Sequence, residues 1–392
     1  MKIGTISINY YVESPNYGSA LQTYALVETL RRLGHDAEVV DYQARFRKGW
    51  HFCFPFLSTP DKAKRYKYFS VAFGGLIKWM KFNRFYKRLV PRSTHRYDAC
   101  NLNLSGYDVV VLGSDTVWNI RQMKGFEPGF FGGFIPPIRC VAYAPSFGDY
   151  EYSAEDVRMF QRCLPNISHL SVREPANLEA FGSRKDEVRV VLDPTMLLTK
   201  EDYLRIAKPH NIKGKYLLYY PIYSKDEQVS ARVDEYARRH ELKVVEVSFA
   251  VEHGHPRFFN GLYKMLKILN IIDSHNTLFK PNYGALPHIM RYSAGVEEWL
   301  GLIAGAEIVV TNSFHGSVFA MLFERPFYNF TRPDASVKIR EITKSFCIGH
   351  RTLDACTEGI RDDPIDYVRI NQILQVRRKE SMTYLENAIN NS

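Results

Sequence analysis

Residues 309–327 read VVTNSFHGSVFAMLFERPF: a β-branched pair, a small polar cluster containing one histidine, then a renewed apolar pattern. Val309 and Val310 suit a buried strand, and Thr311, Asn312 and Ser313 supply turn and N-cap chemistry. Val318, Met321 and Leu322 recur at three and four, the spacing of one helical face. The stretch predicts strand, loop and helix, with His315 at the mouth of the loop. A loop at the carboxyl end of a strand and the amino end of a helix offers free backbone N–H groups to an anion. His315 then has two readings: a proton carrier or phosphate partner, or a satisfied residue in a packed structural turn.

The same alternation runs outward in both directions. KIGTISIN opens the chain as a strand, and a glycine-containing loop leads to a helix over residues 19–33, stopped by Gly34. AEVVDY, YDVVVLGS, RCVAYAPSFG, HLSVRE and VRVVLDPTM follow as apolar, β-branched strands. A polar connection over residues 199–213 breaks the rhythm, which restarts with KYLLYYPI, a charged helix over 225–240, KVVEVSF, a helix over 296–304, AEIVV and FYNF. Near-continuous apolar strands alternating with helices imply doubly wound parallel sheets. The expected fold is therefore α/β, two Rossmann-like domains facing across a cleft: residues 1–198, residues 199–364, and a closing helix in 365–392.

Length supports two domains, since 392 residues exceed one ordinary core. No run approaches the ~20 apolar residues of a membrane-spanning helix. Residues 1–9 are too short for a secretory signal. Six scattered cysteines without a CxxC pair suggest a reducing cytoplasm and no zinc ribbon. The net charge of +10 is concentrated: residues 45–97 hold fourteen Lys and Arg against the single acid Asp61, so this segment alone carries +13 and the remainder is slightly acidic. The segment is also crowded with aromatics, and reads as a basic aromatic helical insert in the first domain.

Several loops fall at strand carboxyl ends, where open α/β sheets place ligands. They hold Asn16, Tyr17, Gly18 and Ser19; Gly113, Ser114 and Asp115; Ser146, Phe147 and Gly148; Arg173 and Glu174; Asp193 and Pro194; and residues 313–316. Asp115 with Trp118 could hold a sugar, carboxylate on hydroxyls and indole on the pyranose face; the rival is a buried tryptophan with a capping aspartate. His253 and His255 have no third ligand at an obvious spacing, so a plain loop is expected and no metal.

Taken together, NYGSALQTYAL, VVLGSDTVWN, YAPSFGD, SVREP, VLDPTMLL and EEWLGLIAGAEIVVTNSFHGSVFAMLFERPF resemble the polysaccharide pyruvyl transferase family in order and spacing, over residues 3–351. The resemblance implies a GT-B-like pair of Rossmann-like domains, phosphoenolpyruvate as donor substrate, and a product in which a pyruvate ketal bridges two hydroxyls of one sugar. No cofactor is required for such chemistry, because general acids and bases suffice. His315 and Asp115 are the expected catalytic residues. Arg173, Asn312, Ser313, Phe314, Gly316, Ser317, Lys338 and Arg340 are expected on the donor side, and Asn16, Tyr17, Gly18, Gln22, Asp115, Trp118 and Ser146 on the acceptor side. For Arg173 the competing reading is an ion pair with Glu174 or Asp193. The chain departs from the family where Ser313-Phe314-His315 replaces the frequent Arg-Leu-His, where Thr116 replaces a glutamine, and where a proline is missing near Gly295. Phosphate binding then falls to Asn312, Ser313, Ser317 and the nearby Lys338 or Arg340.

Two other functions fit parts of the chain. A GT-B-type glycosyltransferase would share the architecture but need a nucleotide-sugar site. A non-enzymatic membrane or nucleic-acid binding module would use the basic aromatic insert, although no nucleic-acid module pattern occurs. Within the insert, Phe69, Phe73, Leu76 and Met80 fall on one helical face, with Lys81, Arg84, Lys87 and Arg88 elsewhere around it. Such a helix could dock a cytoplasmic enzyme on the anionic inner face of the cytoplasmic membrane, near a polyprenyl diphosphate-linked saccharide acceptor. It could equally be packed on the first domain with only its charges exposed.

Overall fold

The segments Val109–Leu112 (VVVL) and Tyr216–Tyr220 (YLLYY) are apolar or aromatic at every position and buried at every position, so both faces of each strand must be covered. The computed structural model covers them with helices on both sides of two parallel sheets. It describes residues 1–8, 15–44, 62–222, 227–247, 286, 288–330, 336–353 and 359–390, with backbone alone for 62–74 and 336. His253, His255 and residues 45–61 of the basic segment lie outside the described residues.

The first sheet is built from β1 (Lys2–Ile6), β2 (Asp36–Gln43), β3 (Arg92–Asp98), β4 (Val109–Leu112) and β5 (Cys140–Ala142), in the order β3-β2-β1-β4-β5. Its helices include α1 (Tyr17–Arg32), α2 (Lys62–Leu89), α3 (Ile120–Met123) and α4 (Ala154–Cys163), and a short pair, β6 (Ser171–Val172) and β7 (Arg189–Val190), continues beyond β5. The second sheet follows α5 (Lys200–Ile206). It comprises β8 (Tyr216–Tyr220), β9 (Lys243–Glu246), β10 (His288–Met290), β11 (Ile308–Thr311), β12 (Phe327–Phe330) and β13 (Thr352–Leu353), ordered β10-β9-β8-β11-β12-β13. Around it lie α6 (Glu227–Arg239), α7 (Val296–Ala304), α8 (Phe314–Leu322) and α9 (Ser336–Ser345), and α10 (Tyr367–Asn390) ends the described chain. Every strand pair within the two sheets is parallel, and strand order reverses about β1 and about β8. The chain is thus α/β with two Rossmann-like domains in a GT-B-like arrangement.

Side chains that alternate along the strands sort into three cores. Ile3, Val39, Val109 and Val111 of the first sheet share one core with Tyr216, Leu218, Tyr220 and Val309 of the second. Val40, Val110 and Leu112 face a core private to the first domain, while Leu217, Tyr219 and Val310 face one private to the second. The shared core is bridged by aromatic rings: Tyr17 stacks on Trp299 with centroids 5.0 Å apart, and its hydroxyl donates to the Ala294 carbonyl at 2.7 Å. The two halves are therefore joined by packed apolar surface at the foot of α1.

The basic helix α2 is the crossover from β2 to β3, part of the winding of the first sheet. Sequence patterning misses β3 because RSTHRYD is a polar edge strand, with only Ser93 buried. Phe82, Phe85 and Tyr86 of α2 enter the shared core, and Lys78 is buried over the rings of Tyr17 and Tyr292. Burial pulls the Lys78 pKa down to about 7. Lys81 pairs with Glu298 at 2.7 Å and Arg88 pairs with Glu297, both partners lying in α7 of the second domain. Met80 is 57% exposed and Leu76 half-buried. The helix α10 returns to the first domain, where Arg378 donates to the carbonyls of Met196 and Leu198, and Tyr384 donates to that of Ala142.

Trp299→Ala removes one side of the stack on which the two domains meet. It should cost about 3–5 kcal/mol in urea unfolding, the usual range for a buried aromatic. Val376→Ala, at an exposed position of α10, should stay within about 0.5 kcal/mol of the parent. Equal costs would contradict the shared core.

Candidate active site

The loop after β11 folds as its polar cluster requires. Ser313 caps α8, accepting the Gly316 N–H at 3.1 Å, and its own N–H donates to Thr311 Oγ1 at 3.0 Å. No acceptor among the described residues meets the N–H groups of Phe314 and His315, so α8 presents two open donors. Across the domain boundary stands Gly18 in the first turn of α1, where a Cβ would overlap the His315 imidazole; only glycine lets the two approach.

A carboxylate from the first domain meets this loop. Asp193, fully buried after β7, accepts from Ser114 at 2.9 Å, from Arg173 Nη1 at 3.1 Å, and from the Thr195 N–H and hydroxyl at 3.0 and 2.7 Å. His315 Nε2 lies 3.6 Å from the same carboxylate. Burial opposes ionisation of Asp193, but His315 and Arg173 outweigh it and hold its pKa below the usual carboxylate range. Burial likewise opposes the charge of Arg173, and Glu174, Asp193 and Asp115 outweigh it, raising its pKa.

Arg173 thus makes both ion pairs that its sequence neighbourhood offered, to Glu174 at 3.1 Å and to Asp193. It also keeps one donor unused. Its Nη2 is buried without a hydrogen-bond partner, as is His315 Nε2, and the guanidinium lies 4.5 Å over the Phe314 ring. A buried N–H left unpaired, as at Arg173 Nη2, is costly unless a ligand meets it. A cleft opens here, with Arg173, Asp193, Phe314 and Lys338 among its lining. Burial and the Arg173 charge lower the Lys338 pKa against the pull of Asp115, Glu174 and Asp149. Asp115 is half-buried, with φ at +73°, and one oxygen accepts the Thr116 N–H. Asp149 accepts from the Val337 N–H at 3.3 Å and so ties α9 to the first domain.

The structure brings Arg173, Phe314 and Lys338 together in the cleft, sets His315 against Asp193, leaves Asp115 acting on Arg173 and Lys338 through its charge, and gives other expected site residues different duties. Trp118 is fully buried among Phe131, Phe147, Phe160 and Phe181, with its indole N–H on the Phe130 carbonyl, so its ring cannot stack on a sugar. Tyr17 and Gln22 are also fully buried, Tyr17 in the aromatic bridge and Gln22 donating to Ser7 and Thr23. Asn16 caps α1 through the Ser19 N–H. Asn312 fastens the backbone of Ile222, Ser317 donates to the Ser313 carbonyl and to Asn329, and Gly316 packs against Thr311 and Tyr220. Ser146 donates to Glu174 and so supports Arg173. Arg340 is exposed and does not line the cleft. Apart from the exposed Arg340, these polar groups are spent on the fold because burial forces them to pair internally. Several residues of the cleft are new, Asp193 and Glu174 among them. Asp193 was visible only as a strand-end Asp-Pro, and Glu174 only as a partner for Arg173.

Among the described residues no cluster of His, Cys, Asp and Glu could hold a metal ion, and no helix is long and apolar enough to cross a membrane. The doubly wound domains meet at a cleft lined by three cations, Arg173, Lys338 and Arg377, and three acids, Glu174, Asp193 and Glu341. A family model described as polysaccharide pyruvyl transferase matches residues 16–334, and the chain belongs to that family. Comparison with curated proteins finds no match. Among solved structures, the chain is similar to the UDP-GlcNAc 2-epimerase from Methanocaldococcus jannaschii, with 12% identity and a TM-score of 0.42 over 96% of this chain and 93% of that one. The Neisseria meningitidis epimerase bound to UDP-GlcNAc gives 9% and 0.44 over 99% and 94%, and an E. coli heptosyltransferase with ADP gives 11% and 0.37 over 98% and 100%.

The depressed pKa of Asp193 makes its stabilisation present above the unfolded carboxylate value of about 4, and lost as pH falls through that value and below. Asp193→Asn leaves Arg173 with less counter-charge and should cost about 3–5 kcal/mol at neutral pH. In urea unfolding the gap between parent and variant should narrow below a pH of about 4. A gap that is the same in acid and at neutrality would show that the carboxylate charge is not what holds the site.

Proposed function

We propose that this transferase moves the enolpyruvyl group of phosphoenolpyruvate onto two hydroxyls of one sugar, forming a pyruvate ketal during assembly of a cell-surface polysaccharide. The observation that carries the reading is the cleft in which the unused Arg173 Nη2 meets Phe314 and Lys338, with His315, next in sequence to Phe314, set against the cleft residue Asp193. A small donor with both a carboxylate and a phosphate requires donors of this kind, placed close together.

The chemistry then follows from the groups at hand. His315 gives a proton to the donor methylene, which becomes a methyl group, while the adjacent carbon accepts the oxygen of a first sugar hydroxyl. Asp115 takes the proton of that hydroxyl. A second hydroxyl attacks the same carbon, the carbon–oxygen bond to phosphate breaks, and its proton leaves with the phosphate. Two hydroxyl protons are lost, one replacing that of His315 and one ending on phosphate, so the exchange balances without a redox partner or cofactor.

The acceptor in this reading is a saccharide carried on polyprenyl diphosphate at the cytoplasmic face of the membrane. The helix α2 offers exposed Met80, Arg84 and Lys87 for contact with an anionic surface, while Lys81 and Arg88 are engaged with α7. Co-sedimentation with phosphatidylglycerol vesicles tests this contact. Binding should fall with salt and with Arg84→Gln/Lys87→Gln, and binding unaffected by either would remove α2 from the membrane.

The activity is tested by incubating the protein with phosphoenolpyruvate and a panel of lipid-linked saccharides, following phosphate release and the mass of the acceptor. His315→Ala should lower turnover by about 10²–10⁴-fold, the range for a lost general acid. Arg173→Lys keeps the charge but loses the forked geometry, and should chiefly raise the KM for the donor. Undiminished turnover in His315→Ala would end its assignment. Sugar transfer from a nucleotide-sugar, with phosphoenolpyruvate untouched, would replace the reading with a glycosyltransferase.

A further inference from the structure

The cleft is lined by Val190 of β7, by Lys338, Glu341, Ile342 and Ser345 of α9, and by Arg377 of the last helix, α10. That last helix lies beyond residues 16–334, the part matched by the family model. Its position is fixed by bonds to the first domain: Arg378 to the carbonyls of Met196 and Leu198 at 2.7 and 3.1 Å, Ser381 accepting the Leu192 N–H at 3.0 Å, and Tyr384 to Ala142 at 2.9 Å. Met196 and Leu192, which these bonds hold, are themselves part of the cleft lining.

Arg377, one residue before the anchor Arg378, turns into this cleft. It is half-buried, its guanidinium 5.8 Å from the Phe346 ring centroid, with no hydrogen bond or ion pair to any described residue. Lys338 lines the same cleft and likewise has no such bond among them. The acids nearby are differently placed. Glu174 and Asp193 are occupied by Arg173, by Ser146 and Ser114, and by Thr195, while Glu341 lines the cleft and forms no ion pair with Arg377 within 4.0 Å. Burial lowers the Arg377 pKa and the Glu380 charge opposes that, so the site holds a cation short of a partner.

We propose that Arg377 is a phosphoryl ligand of the cleft, acting with Lys338 on the phosphate of a small anion whose carboxylate meets Arg173. This rests on the donor reading above and extends it: the C-terminal helix supplies part of the donor site. A guanidinium can hold two phosphate oxygens at once, which Lys338 alone cannot.

Calorimetric titration of the intact protein with inorganic phosphate and, separately, with phosphoenolpyruvate tests the proposal. Arg377→Gln should weaken binding of both probes by about tenfold or more, Arg377→Lys should recover part of the loss, and Lys379→Gln, exposed on the same helix, should bind as the parent does. In turnover, Arg377→Gln should raise the donor KM more than it lowers kcat. Parental affinity for both probes in Arg377→Gln overturns the proposal, whatever the activity. Phosphate binding that depends on Arg377, in a protein that never consumes phosphoenolpyruvate, keeps the anion site and discards the donor reading. A parent protein that binds neither probe overturns both.

Discussion

Asp193 has no exposure to solvent, and its carboxylate is the point at which the two domains agree on the geometry of the site. It comes from the first domain, fixes Arg173 and Ser114 of the same domain, and faces His315 from the second. A buried charge is tolerable only when opposite charge and hydrogen bonds replace water, and here those replacements are also the groups presented to the cleft. Removing the carboxylate would loosen Arg173 and His315 together, although neither is near the other in sequence. Neighbouring details serve the same point. Gly18 makes room for His315, Ser146 and Glu174 brace Arg173, and Asp149 draws α9 toward the first domain.

The apolar bridge between the domains sets the other boundary. Because Tyr17, Trp299, Phe82 and Tyr220 share one core with both sheets, the space between the halves is packed at the foot of α1 and open at the strand ends near Arg173 and Lys338. Ion pairs from α2 to α7 lie along the same boundary. The boundary thus leaves one small cleft, in which Arg173, Lys338 and Arg377 face Glu174, Asp193 and Glu341.

Much of this was legible in the sequence because buried parallel strands leave an unmistakable apolar signature. YLLYY and VVVL could be little else, and the turn chemistry of Thr311 to Ser313 placed the mouth of α8. The edge strand β3 escaped because an exposed strand needs no apolar run. Site residues were harder. A polar side chain at a strand end looks the same whether it meets a ligand or a neighbouring backbone: Asn312, Gln22 and Ser317 proved to be internal fasteners, and Trp118 a core ring. Asp193 was the reverse case, an ordinary Asp-Pro turn whose importance arises only when four distant segments converge. Arg377 carried no signal at all, since a basic residue on a charged terminal helix is expected to face water.

The central claim is that Arg173 and His315, held by one buried carboxylate, form a single receptor for a small anionic donor. It is tested most directly by following the histidine side-chain nitrogen resonances of ¹⁵N-histidine-labelled protein during titration with phosphoenolpyruvate. The account predicts that one imidazole, identified by its absence in His315→Gln, shifts saturably at Nε2, and that the shift is lost in Asp193→Asn samples whose folded state is verified. A His315 signal that stays fixed while phosphoenolpyruvate binds would contradict it.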